Sequence, residues 1–163
     1  MLDIEYTVSD HKDIDIIGPL WEKLNQHHHV RSPHHARHFA HMTFDLRKQT
    51  LLEKASKGVM RIDIAKDTDT GAIVGYCLSI ISEKKEGEIE SIYVEKNYRL
   101  KGIGDKFMKK AMDWMDSQSV IKRTIAVATG NEEVFTFYSR YDFHPRIYIL
   151  QNDTLPTTIV GDR

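Results

Sequence analysis

Residues 98–106 read Tyr-Arg-Leu-Lys-Gly-Ile-Gly-Asp-Lys, placing Gly102 and Gly104 beside Arg99 and Lys101 just ahead of a run with helical apolar spacing. The first four N–H groups of a helix lack intrahelical partners, and the helix dipole adds partial positive charge there, so a phosphate can satisfy them. Glycines let the phosphate approach the backbone, and two cations offer a pyrophosphate several charge-assisted hydrogen bonds. Arg99, Leu100, Lys101, Gly102, Ile103 and Gly104 thus form a candidate diphosphate cradle. The run lacks the last glycine of the dinucleotide fingerprint, and no Lys-Ser or Lys-Thr follows as a P-loop requires, which disfavours NAD and ATP. A bare glycine pair can also be no more than a tight turn before a helix.

Two further groups could do chemistry. Glu88 and Glu90 stand two apart in an apolar strand-like run, where period-two alternation puts both on the face of Ile92 and Val94. His34, His38 and His41 recur at four and three residues and would share a helix face. No Cys or well-spaced carboxylate completes a zinc pattern around them, so exposed histidines near a pocket are the preferred reading and no metal site is assigned.

The elements that must position these residues follow from the apolar pattern. A strand over residues 4–8 ends at Ser9-Asp10, and Ile14, Ile17, Trp21 and Leu24 form a helix that Gly18-Pro19 must start, kink or divide. Ser32-Pro33 reads as the start of a second helix. The helical pattern Phe44, Leu51, Leu52, Ala55 ends at Gly58, a residue suited to the left-handed position after a helix. Residues 59–66 and 72–82 read as an antiparallel pair around the turn 67–71. A strand (88–94), an amphipathic helix (103–117) and a strand (124–128) then make a βαβ unit. A last helix over 131–140 leads to a strand candidate at 143–150 and a polar tail containing Pro156.

The chain has 163 residues and reads as one domain over 1–163 with no repeat or linker. Its 23 Lys and Arg against 24 Asp and Glu give no basic excess, so nucleic acid is not the expected partner. No apolar stretch is long enough to span a membrane, and the N-terminus has no basic, apolar leader. The sole cysteine, Cys77, lies in an apolar run and suits a reducing compartment, so a cytoplasmic location is expected.

Arg99-x-x-Gly102-x-Gly104 resembles the coenzyme A pyrophosphate loop of the GNAT (GCN5-related) N-acetyltransferases, and the preceding Ile92-Tyr93-Val94 is similar to that family as well. Downstream, Asn131 to Phe143 resembles the family's second signature, Asn-x-x-Ala-x-x-Phe-Tyr-x-x-x-Gly-Phe, with Val134 in place of Ala and Asp142 in place of Gly. Asp tolerates positive φ better than most residues, so a left-handed turn at Asp142 is compatible with the motif. The resemblance covers residues 87–143.

It implies an α/β (α+β) fold, a mixed, mostly antiparallel twisted sheet of six to seven strands with helices on both faces. It implies acetyl-CoA as cosubstrate and an amine as acceptor; a homodimer is compatible with such folds but not readable from the sequence. Its cofactor contacts fall on Ile92, Tyr93, Val94, the loop 99–104, Asn131, Phe137 and Tyr138. Asn131 is expected to cap the last helix and to contact the pantetheine or its phosphate, and Phe137 to pack in the core. A backbone N–H near Val94 would stabilise the oxyanion where that strand splays from the next. Tyr138 would protonate the leaving sulfur, its alternative role being aromatic packing. Glu90 resembles the family's carboxylate base, with Glu88 able to act through water; both could instead be solvated strand-edge charges. A competing reading is a non-catalytic acetyl-CoA-binding or metal-binding regulatory module. The combination of Glu90 with Tyr138 argues for an enzyme.

Overall fold

The computed structural model describes residues 2–152, so the tail with Pro156 lies outside the described residues. Strand β1 (Ile4–Ser9) is followed by a 3-10 segment (His11–Ile17) whose first turn is capped by Asp10, which accepts from the Lys12 N–H at 2.8 Å. Helix α1 (Gly18–Arg31) begins at Gly18 with Pro19 in its first turn, where the missing N–H costs nothing, so the Gly-Pro pair starts the helix. Helix α2 (Ala36–His41) begins three residues later than Ser32-Pro33 suggests, because α1 runs on to Arg31 and Ser32 closes it. His34 therefore precedes α2 and shares no helix face with His38 and His41. Helix α3 (Phe44–Ser56) is capped by Thr43, which accepts from the Leu46 N–H. Gly58 is not left-handed: Lys57 takes the cap position and Gly58 opens β2 (Gly58–Asp67).

Strands β2 and β3 (Ile73–Ser82) form the expected hairpin, closed by the Gly71 N–H donating to the Asp67 carbonyl at 2.8 Å. Strand β4 (Glu86–Val94), helix α4 (Ile103–Ser117) and strand β5 (Lys122–Ile125) form the expected βαβ unit, with β4 and β5 parallel. The described sheet has five strands in the order β1-β2-β3-β4-β5, antiparallel up to β4, rather than the six to seven expected. The missing strand candidate is 143–150, which takes no strand conformation: Phe143 packs on the core, whereas Ile147, Tyr148, Ile149 and Leu150 are all exposed. The helix expected over 131–140 is a 3-10 turn (Glu132–Val134) leading into the short α5 (Phe135–Ser139).

Helices cover both faces of the sheet. On one face Ile14, Ile17, Trp21 and Leu51 from the 3-10 segment, α1 and α3 pack on Ile62, Ile64, Tyr76 and Leu78 of the sheet. On the other, α4 turns Ile103, Phe107, Met108, Ala111 and Met115 onto Ala65, Val74, Cys77 and Ile89, which is the face that its apolar spacing dictates. Cys77 is fully buried, and burial pushes its thiol up to about 12.

Candidate functional site

A left-handed Gly102 (φ 82°) gives α4 its start, and a Cβ there would meet nothing within 4 Å, so the helix N-terminus faces open space. The loop before it is held from three sides. The Tyr98 hydroxyl donates to Asp67 Oδ2 at 2.6 Å. The Arg99 Nε donates to the Val94 carbonyl at 2.8 Å, and its guanidinium lies 5.4 Å from the Tyr93 ring centre. The Lys101 ammonium sits 5.5 Å from the Tyr98 ring. Gly104 lies against Phe137, whose ring would be 3.2 Å from an added Cβ.

From this helix start a groove of about 390 Å³ runs between β4 and α5. It exists because the β4 and β5 pairing stops at Ile89 and Ile125, leaving the second half of β4 without a neighbour on that side among the described residues. Ile92, Tyr93 and Val94 line it from β4, and Arg99, Leu100, Gly102, Ile103 and Gly104 line it from the loop and α4. Asn131, Phe137 and Tyr138 complete the set. The structure therefore brings together every expected cofactor residue except Lys101, which is exposed and does not line the groove.

Tyr138 is 8% exposed, and its hydroxyl has no hydrogen-bond partner among the described residues. Burial raises its pKa, so the phenol keeps its proton through the physiological range. Phe137 packs on Tyr138 and Tyr141, with ring centres 5.3 and 5.6 Å away, and is a partly buried wall of the groove rather than the core residue expected, while Tyr138 is the buried one. Asp142 adopts φ 64°, the left-handed turn that the motif's glycine position demands. Asn131 does not cap the last helix with its side chain; its Oδ1 instead lies 3.2 Å from His27 Nε2.

A phosphate-ready helix start, a groove flanked by a splayed strand and a buried phenol coincide with a match of the GNAT acetyltransferase family model to residues 21–143. The chain belongs to the GNAT family. Solved structures similar to this GNAT domain include a GCN5-related N-acetyltransferase from Ralstonia eutropha (17% identity, 93% of this chain and 99% of that one, TM-score 0.73). A predicted acetyltransferase from Clostridium acetobutylicum with acetyl-CoA matches at 15% identity over 93% and 96% of the two chains, TM-score 0.65. Glucosamine-6-phosphate N-acetyltransferase from Arabidopsis thaliana matches at 17% identity over 93% and 99%, TM-score 0.60. No curated protein sequence matches significantly.

The carboxylates sit differently in this GNAT domain from what alternation implies. Leu78 pairs with Ser91 and Ser79 with Ile89, so Glu90 is the extra residue of a β-bulge. The bulge turns Glu90 towards α3, while Ile92 and Val94 pack on the α4 side, so these residues do not share a face. The Glu90 side chain is 2% exposed; Arg47 reaches its Oε2 at 2.9 Å and Lys54 its Oε1. Glu88 shares Lys54 at 3.0 Å, and burial, followed by the charge of Glu90, raises its carboxyl above the usual range. Neither carboxylate lines the groove.

Leu24, His27, Tyr98, Asp105, Glu133 and Arg140 also line the GNAT groove and were not singled out from the sequence. Arg140 lies 4.9 Å from the Phe137 ring centre and 3.1 Å from Asp105, whose carboxylate also accepts from the Tyr141 hydroxyl. The signal for Arg140 is its place inside the second signature; Leu24 lies on the helical apolar pattern and His27 opens the histidine-rich stretch 27–41, features that do not by themselves mark a groove. Among the described residues no group of three His, Cys, Asp or Glu is placed to hold a metal ion.

Proposed function

We propose that this chain transfers the acetyl group of acetyl-CoA to a primary amine of a small molecule or protein, by direct attack within a ternary complex. The observation that carries this reading is the joining, in one groove, of the open α4 start at Gly102 to the buried Tyr138. The first end suits a pyrophosphate, which would draw on the free N–H groups of α4 with Arg99 and Lys101 beside them. The apolar stretch between Ile92 and Phe137 suits the pantetheine arm.

In the proposed reaction the amine nitrogen forms a bond to the thioester carbonyl carbon, and the carbon–sulfur bond breaks. A backbone N–H at the splayed end of β4 near Val94 would stabilise the oxyanion. The Tyr138 proton goes to the departing sulfur; burial keeps that proton on the phenol until the thiolate forms beside it. The amine's proton goes to the Glu88 and Glu90 pair through water. Arg47 and Lys54 neutralise Glu90, while Glu88, whose proton affinity is raised by burial and by the charge of Glu90, is the better proton acceptor of the two. The single buried Cys77 suits a reducing cytoplasm, where we place the activity.

Calorimetric titration with acetyl-CoA tests the donor site, with Gly102→Glu as the blocked form. Micromolar binding that is lost in Gly102→Glu supports the reading. Absence of binding by folded wild-type protein would sink it.

A further inference from the structure

The His27 and Asn131 side chains meet at 3.2 Å although 104 positions separate them, and both line the groove. The spacing between them is fixed by a clasp at the end of α1. The Arg31 Nε donates to the Gly130 carbonyl at 2.9 Å, and its guanidinium pairs with Glu133 at 3.1 Å. Gly130 is left-handed (φ 92°), and an added Cβ would lie 2.0 Å from the Arg31 carbonyl oxygen, so α1 and the loop before α5 touch backbone to backbone. No other side-chain hydrogen bond to Asn131 exists among the described residues, and its Nδ2 group is left with two free donors.

A carboxamide can be turned over by rotation about its last bond, exchanging an acceptor for two donors. An imidazole Nε2–H donating to Oδ1 removes that freedom. We propose that His27 is a positioning residue of the acyl-donor site: by holding Asn131 Oδ1, it presents the Asn131 Nδ2 donors to the amide carbonyls of the donor's arm. The proposal rests on the acetyl-CoA reading above. Without His27 the carboxamide is free to offer its oxygen to a carbonyl oxygen, which repels.

The test is calorimetric binding of acetyl-CoA to His27→Ala, Asn131→Ala, the double variant and His27→Gln, with melting temperatures alongside. His27→Ala and Asn131→Ala should each weaken binding about tenfold, the size of one well-made hydrogen bond. The double variant should be no weaker than Asn131→Ala alone, and His27→Gln, whose amide can still donate, should recover most of the loss. Wild-type affinity in His27→Ala, or penalties that add in the double variant, would overturn the proposal while leaving the donor reading intact. Failure of the wild type to bind overturns both.

Discussion

The Tyr98 hydroxyl and Asp67 Oδ2 lie 2.6 Å apart, which ties the loop at the start of α4 to the turn between β2 and β3. The same Asp67 carboxylate accepts from the Asp69 and Thr70 N–H groups, so one side chain shapes the turn and anchors the loop. The Tyr98 bond, then those backbone bonds, hold the Asp67 carboxyl below its usual range.

Tyr98→Phe should therefore loosen the loop without emptying the groove. Acetyl-CoA affinity is expected to fall about threefold to tenfold, the net worth of one ordinary hydrogen bond. Asp67→Asn should do the same, and the pair of changes together should add nothing further. Binding measured by calorimetry checks this, and strict additivity would show that the two residues act separately.

Tyr138→Phe removes a hydroxyl that makes no hydrogen bond among the described residues, so the fold should not notice. The melting temperature should stay within about a degree, since no buried polar partner is orphaned. Turnover with an amine found by screening should fall about a hundredfold, the usual contribution of a positioned acid. Because burial raises the Tyr138 pKa, the wild-type rate should show no loss from this residue below pH 10.

The two carboxylates of β4 should separate cleanly. Glu88→Gln is expected to lower turnover by about a hundredfold and to erase the acid limb of the rate profile, leaving stability nearly unchanged. Glu90→Ala removes the buried partner of Arg47, while Lys54 keeps Glu88, and should destabilise the domain by about 1–2 kcal/mol. Thermal melts and pH–rate profiles of both variants decide the assignment; a stable, inactive Glu90→Gln with an active Glu88→Gln would reverse it.

His28 is held neutral. Its ring lies 5.4 Å from Phe39, its buried Nδ1 has no hydrogen-bond partner among the described residues, and burial, then the neighbouring His27, lowers its pKa to about 4. Between pH 6.5 and 4 the unfolded chain binds a proton that the folded chain refuses, so stability falls as pH falls through that window. The loss should be on the order of 1–2 kcal/mol, the full shift being reduced because the ring is partly exposed. His28→Phe should flatten this part of the stability curve, as chemical denaturation at pH 7 and 4.5 would reveal.

What the sequence made legible was local. Gly102 and Gly104 before an amphipathic run announce a helix start wherever they occur, and Phe137-Tyr138 follows its own short signature. The Glu90 bulge was invisible because alternation assumes unbroken pairing, and a one-residue insertion is set by the partner strand. The apolar run at 147–150 has strand composition, yet it pairs with no described strand. His27 depends on a partner 104 positions away, a relation that no window of helical or strand period contains.

Cys77 gives the molecule an internal clock. Its thiol is the chain's only one, it is shut inside the sheet beneath α4, and a pKa near 12 leaves almost no thiolate at neutral pH. Alkylating reagents can reach it only when the sheet parts from α4, so the labelling rate counts those openings. A ligand seated at the start of α4 would slow the count.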